Sequence, residues 1–441
     1  MLQEKLQKNT AKYRQILRMG EFYTREGKID QIVGMTVEAT GIVCNIGDIC
    51  NIVLGNGKQS ILSEVVGFRG NKVLLMPYQD IDGIGYGSTV INTGSKLMIK
   101  MSDQLIGRTV DALGNPIDDG EPINGTDFYP INGVPSNPMS RPRISTPIEL
   151  GVKAIDGLIT IGKGQRMGIF AGSGVGKSTL MGMIARNIKA DINVIALVGE
   201  RGREVVEFIN RDLGPEGAKR SVLVVATSDQ PAMMRFKCAL TATTIAEYFR
   251  DQGKDVLLMM DSLTRFAMAQ REIGLSAGEP PVARGYTPSI YTVLPKLLER
   301  SGNFEAGSIT GIYTVLVEGD DTNEPISDTV RGIIDGHIML SRKIAMKNHY
   351  PAIDILASVS RLMNDIVEPD HRDAAGKIRN MLSIYRENQD LISIGAYKSG
   401  TNPQLDDAMK HMNAINDFLR QKVDYKVDFA DTVRILKEIV K

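Results

Sequence analysis

Three cysteines, Cys44, Cys50 and Cys238, are the only thiols in 441 residues, and they show no paired metal spacing. An odd, low count excludes a disulfide scaffold and suits a reducing cytoplasm. Neither sign of charge is in excess, 52 basic side chains facing 52 acidic ones. No global field therefore recruits nucleic acid or an anionic membrane. No apolar run approaches the ~20 residues of a membrane-spanning helix, and the first residues carry no signal-peptide pattern. The expectation is a cytoplasmic protein whose membrane contacts are peripheral or made through partners. The chain is long enough for two or three domains and at least one large core.

What is present is organised around Arg166 to Ile188. An apolar strand, Met167 to Phe170, leads into the loop Ala171-Gly172-Ser173-Gly174-Val175-Gly176-Lys177-Ser178-Thr179, and a helix comes next with Leu180, Ile184 and Ile188 on one stripe. This is the strand, glycine loop and helix of a phosphate-binding P-loop. Small residues let successive backbone N–H groups turn inward, and the helix N-terminus adds partial positive charge at the same point. Lys177 is placed to reach the β- and γ-phosphates, and the Ser178 hydroxyl to bind Mg²⁺. Ala171 stands where the usual pattern has its first glycine and keeps the side chain small.

The flanking segments differ in pattern. The first eighteen residues carry Lys5, Lys8, Lys12, Arg14 and Arg18 against Glu4 alone, with Leu2, Leu6, Tyr13, Ile16 and Leu17 near helical spacing. They read as a basic amphipathic helix, either solvated or docked on a partner or anionic surface. From Thr24 to Thr93, short β-like runs (Lys28–Val33, Thr40–Cys44, Cys50–Leu54, Ser60–Val66, Lys72–Met76) are punctuated by glycines at the spacing of a small closed barrel. Seven prolines between Ser102 and Pro147 mark an extended connection packed over a surface. Between Gly151 and Arg361, continuous apolar strands alternate with helix-length segments, which predicts an α/β domain with a mainly parallel sheet covered on both faces. After Arg361 only helices remain, at Ala374–Tyr385, Asp406–Gln421 and Thr432–Val440. The expected domains are thus a helix over 1–22, a β-barrel over 23–95, a nucleotide-binding core over 96–361 and a helical domain over 362–441.

Hydrolysis needs three further parts. Val256 to Met260 is an apolar strand ending in Asp261, the arrangement that holds Mg²⁺. Ser262 comes next, so the carboxylate that activates water is not adjacent. Another strand, Val194 to Val198, ends in Gly199-Glu200-Arg201, and ligands of open α/β sheets lie beyond the carboxyl ends of strands. Glu200 is the candidate base, with a salt bridge to Arg201 or Arg203 as its structural alternative. Arg361, after the strand-like run Ile353–Val359, is the candidate arginine finger. If it acts on a neighbour's nucleotide, the active site exists only between subunits.

Here the residues carry a resemblance. The runs GIFAGSGVGKST, ALVGERGREVVEF, DVLLMMDSLTRFAMAQREIG, GEPPVARGYTPS and VEGDDTNEPISD resemble the rotary ATP synthase and type III secretion ATPase superfamily. The last two, with RDLGPEG at Arg211–Gly217 and FLRQ at Phe418–Gln421, are most similar to flagellar protein-export ATPases. The resemblance spans nearly the whole chain and implies a RecA-like core. It also implies ATP and Mg²⁺ as cofactors and ATP hydrolysis coupled to protein transport. Glu200 matches the catalytic glutamate, Arg201 an arginine near the γ-phosphate, and Arg361 the finger supplied to the next subunit. Tyr350 and Tyr397 match aromatic positions that pack on adenine.

The partners so implied are five identical subunits completing a homohexamer, a stator-like regulatory subunit on the N-terminal helix and a central stalk-like coupling protein. To these the resemblance adds an export gate at the cytoplasmic face of the membrane and export substrates with their chaperones, but no nucleic acid. A virulence injectisome ATPase and the catalytic subunit of a proton-translocating synthase are the alternatives, the latter disfavoured by VEGDDTNEP and FLRQ. Non-catalytic synthase subunits have glutamine where this chain has Glu200. Lys177, Glu200, Asp261 and Arg361 in one chain allow a ring of one subunit type to build complete sites.

Overall fold

The computed structural model describes residues 25–441 apart from 56, 58, 134–136 and 318–323. The amphipathic helix expected over residues 1–22 and most of the VEGDDTNEP run lie outside the described residues. The chain divides into two compact units, 1–97 and 98–441.

In the first unit six strands close into a barrel: β1 (Arg25–Val33), β2 (Thr36–Thr40), β3 (Asp48–Val53), β4 (Ser60–Arg69), β5 (Lys72–Pro77) and β6 (Thr89–Lys96). Their order around it is β1-β2-β5-β4-β3-β6, and all neighbours are antiparallel. Inward residues such as Ile29, Val37, Ile52, Val65, Leu75 and Val90 fill the interior, the alternation a closed antiparallel sheet requires. The expected strand at Thr40–Cys44 is displaced. The strand is Thr36–Thr40, and Gly41, at φ +76°, ends it. β6 has no counterpart in the expected strands, because its sequence TVINTGSK is largely polar.

The second unit opens with a two-stranded ribbon of β7 (Met98–Met101) and β9 (Asp127–Pro130), between which lies β8 (Thr109–Val110). Its larger sheet joins β8 to β10 (Arg166–Ala171), β11 (Ile192–Glu200), β12 (Ser221–Thr227), β13 (Asp255–Asp261), β14 (Gly302–Asn303), β15 (Ser308–Leu316), β16 (Gly336–Leu340) and β17 (Ile353–Ser360). The order across the sheet is β17-β16-β10-β15-β13-β11-β12-β8, with β14 on β15. All pair in parallel except β14 and β17. Strand β11 is buried at every position, as a strand covered on both faces must be.

The main helices are α1 (Lys153–Leu158), α2 (Lys177–Asn187), α3 (Gly202–Glu207), α4 (Ala232–Asp251), α5 (Leu263–Ala277), α6 (Pro369–Glu387), α7 (Pro403–Leu419) and α8 (Phe429–Ile439). Ser262 caps helix α5 by accepting from Arg265 N at 3.3 Å, and Gly278 ends it at φ +99°. The proline-rich connection is packed, with Ala112 and Ile131 buried and their carbonyls accepting from Thr241 and Thr244 of α4. Two of its residues also enter the sheet edge as β8. Ile378, Ile415, Phe418 and Leu436 of the last three helices share one apolar cluster with Ile169, Ile184, Leu197 and Met259.

Candidate active site

Parallel order decides where the chemistry gathers. Strands β10, β15, β13 and β11 lie side by side and point the same way, so the residues just beyond them emerge along one sheet edge. After Ala171 the loop turns through Gly174 and Gly176, at φ +77° and +87°, a region open to glycine and strained for other residues. Val175 is buried beneath the loop, and Lys177 opens α2. Asp261 ends β13 opposite Leu197 of β11. Glu200 lies three residues further, past a bulge at Gly199, φ +69°, that re-aims the strand end.

The side chains converge. Lys177 Nζ donates to Asp261 Oδ1 and lies 3.6 Å from Glu200 Oε1. The same Asp261 oxygen accepts from the buried Thr314 hydroxyl at 2.7 Å. Asp261, Glu200 and Ser178 line one small pocket of about 20 Å³ with Leu197, Glu204, Val205 and Phe208. Glu200 is 9% exposed. Burial, with the nearby charge of Asp261, pushes its carboxyl up to about 7, against the pull of Lys177. Burial opposes the charge on Lys177, but the two carboxylates outweigh it and raise the ammonium above its usual value. The result is a charged lysine held between two buried carboxylates, with the Glu200 carboxyl raised above its usual range.

Arg265, one turn into α5, was not among the expected residues. Its Nε is buried without a hydrogen-bond partner, and its charge acts on both Lys177 and Glu200. The signal was an arginine four residues after Asp261 on a helix opening at Ser262. Arg201 points elsewhere: its side chain is 72% exposed and pairs with Glu204 at 3.3 Å.

Strand β17 separates two expected residues. It runs antiparallel to β16, with Ile353 opposite Leu340 and Ser360 opposite Gly336, while β16 runs with β10 so that Leu340 is beside Ala171. Tyr350, just before β17, therefore lies at the glycine-loop end. Its ring is 3.5 Å from the point a Gly176 Cβ would occupy, and the residue is 42% exposed. Arg361 lies at the opposite end. Its N–H donates to Asp335 O, and Asp335 N–H donates to Arg166 O at the start of β10. The six residues of β10 put roughly 17 Å between that point and the loop. Arg361 is exposed, with Nη2 donating to Arg331 O at 3.1 Å. Tyr397 is tied to the helical end by its hydroxyl, which bonds Asn402 O and Asp406 Oδ1 at 3.0 Å each. The structure brings Tyr350, and not Tyr397, to the loop.

This geometry can be set beside known proteins. The ATP synthase alpha/beta family matches twice, its nucleotide-binding domain over residues 151–360 and its beta-barrel domain over 29–94. The T3SS EscN ATPase C-terminal domain matches residues 367–438. The flagellum-specific ATP synthase of Bacillus subtilis (strain 168) is 53% identical over 424 residues, 96% of this chain and 97% of the relative. The chain belongs to the flagellum-specific and type III secretion ATPases. Like that family it is a P-loop ATPase. The assembled EscN of enteropathogenic E. coli superposes with a TM-score of 0.90 at 45% identity, covering 94% of this chain and all of the other. EscN in complex with its central stalk EscO gives 0.87 at 44%, with the same coverage.

Proposed function

We propose that this type III ATPase works as a ring of identical subunits whose ATP hydrolysis powers export of flagellar proteins through a type III secretion apparatus. The observation that carries the reading is the separation along β17. Lys177, Asp261 and Glu200 meet at one end of the sheet, and Arg361 stands at the other.

In this reading, the backbone from Gly172 to Thr179 cradles the phosphates and Tyr350 packs on the adenine. Lys177 exchanges Asp261 for a phosphate oxygen, which frees the Asp261 carboxylate. Asp261 and the Ser178 hydroxyl are hard oxygen donors on one pocket, few enough to leave room for phosphate and water, and so fit Mg²⁺. Mg²⁺ would neutralise charge on the phosphates. Glu200, with a basicity near neutral, orients the attacking water and takes its proton. Arg265 adds a fixed positive charge beside Glu200. Arg361 reaches the site of the next subunit, where it meets charge developing on the γ-phosphoryl group.

The solved assembly of EscN supports self-assembly here, which we propose to be homohexameric, and its complex with EscO supports a central stalk-like coupling protein. The N-terminal segment, a stator-like subunit, the export gate, and substrates with their chaperones complete the proposed setting at the cytoplasmic face of the membrane. Among the described residues no helix is long and apolar enough to cross a membrane. EscN belongs to a pathogen's secretion system, so an injectisome is the second reading. The export components that co-purify with the chain distinguish the two.

Mixing inactive variants tests the ring. Glu200→Gln and Arg361→Ala should each lose turnover while binding ATP. Combined, they should regain part of it, because an Arg361→Ala subunit keeps Glu200 and receives Arg361 from a Glu200→Gln neighbour. No recovery, or full turnover by a strictly monomeric sample, would refute the shared site.

A further inference from the structure

The FLRQ run has no part in the chemistry above, yet its last residue is wired to the nucleotide loop. Gln421 is buried, 7% exposed. Its Nε2 donates to Gly151 O at 2.7 Å and to Tyr425 O at 2.6 Å, and its Oε1 accepts from Lys153 N at 2.9 Å. Both amide hydrogens are used, and an oxygen lone pair is filled. The amide thus staples the turn after α7 to the start of α1. With the turn held, the Gln421 N–H donates to the carbonyl of Tyr350 at 3.0 Å. Two residues on, Val423 O accepts from Arg186 Nη2 of α2 at 2.9 Å. The turn is therefore fixed at three places: the start of α1, the P-loop helix and the main chain of the tyrosine whose ring lies against Gly176.

We propose that Gln421 is a positioning residue for the nucleotide base, acting through Tyr350. Its side chain sets the turn, the turn holds the Tyr350 main chain, and the half-exposed ring is kept at the mouth of the loop. The inference rests on the reading of Tyr350 as the adenine platform. It adds that the C-terminal helices hold that platform, so that base occupancy and seating of the helical end on α1 depend on each other.

Gln421→Met keeps the length and shape of the side chain and removes its hydrogen bonds. In the full-length protein, KM for ATP should rise about tenfold while kcat changes less than about twofold, the signature of lost uniform binding. The inhibition constant of Mg-tripolyphosphate, which has the phosphates and no base, should not move. Tyr350→Ala should raise the same KM, and the double variant should be no worse than the more severe single change. In the wild type, a non-hydrolysable ATP analogue should slow hydrogen exchange at the Gln421 amide more than tripolyphosphate does.

The proposal falls if Tyr350→Ala raises KM and Gln421→Met does not, or if Gln421→Met weakens tripolyphosphate equally. Should Gln421→Met fail to fold, equal exchange protection by the two ligands overturns the proposal. An unchanged KM in Tyr350→Ala would instead remove the base-platform reading itself.

Discussion

Replacing Glu200 by glutamine should stabilise the nucleotide-free protein, and the gain should depend on pH in one direction. The Glu200 carboxyl is raised from 4.5 in the unfolded chain to about 7 in the folded one. Below 4.5 it is protonated in both states and contributes nothing. As pH rises, the unfolded chain releases its proton first, so the native state binds more protons and stability falls until both forms are ionised above 7. At 1.36 kcal/mol per pH unit the full cost is about 3 kcal/mol. Glutamine has the same shape and no charge, and removes that cost. For residues 98–441, an unfolding entropy of roughly 2.1 cal/mol/K per residue converts 3 kcal/mol into a shift of about 4 °C. Thermal denaturation of both proteins without nucleotide, from pH 5 to 8.5, is the assay. The variant's advantage should be small at pH 5, grow through pH 7 and level off. A difference independent of pH, or one that grows toward acid, would show that Glu200 is not held near neutral in the folded protein.

Other substitutions probe the rest of the site. Lys177→Ala takes from the buried Asp261 and Glu200 carboxylates the ammonium they share and should cost about 3–5 kcal/mol by chemical denaturation. Thr314→Val removes the 2.7 Å bond to Asp261 with little change in volume. It should cost about 1–3 kcal/mol by chemical denaturation and shift the Mg²⁺ dependence of ATPase activity. In Gly182→Ala the new Cβ falls 2.4 Å from Asp212 O, so α2 and the turn at 208–213 must separate. A loss of about 1–3 kcal/mol is expected, with ATPase activity reduced.

Much of this arrangement was legible because it is local. A glycine loop between an apolar strand and a striped helix, and carboxylates at the ends of apolar strands, need only their neighbours to be recognised. Parallel order then brings Lys177, Asp261 and Glu200 to one sheet edge. What was missed depends on pairing. Nothing within Ile353–Ser360 says that β17 runs against its neighbour, so the distance of Arg361 from its own loop emerged only with the sheet. Thr109–Val110 is too short to signal a strand, and it is one because β12 offers an open edge. The contacts of the Tyr397 hydroxyl with Asn402 and Asp406 likewise emerged only with the fold. Helix α5 and Arg265 were legible in principle, from a serine cap and a terminal glycine. The apolar strand ending in Asp261 is the louder pattern, and it masks the helix that begins two residues later.

Strand β17 carries Tyr350 at one end and Arg361 at the other. Under the proposed ring, a single stiff rod then touches the fuel in its own subunit and the trigger of the subunit next door. In that ring, the strand that follows one subunit's base platform also ends at the cation offered to its neighbour's site, so a shift of the strand moves both. A subunit that has not yet joined the circle would hold its fuel unburnt.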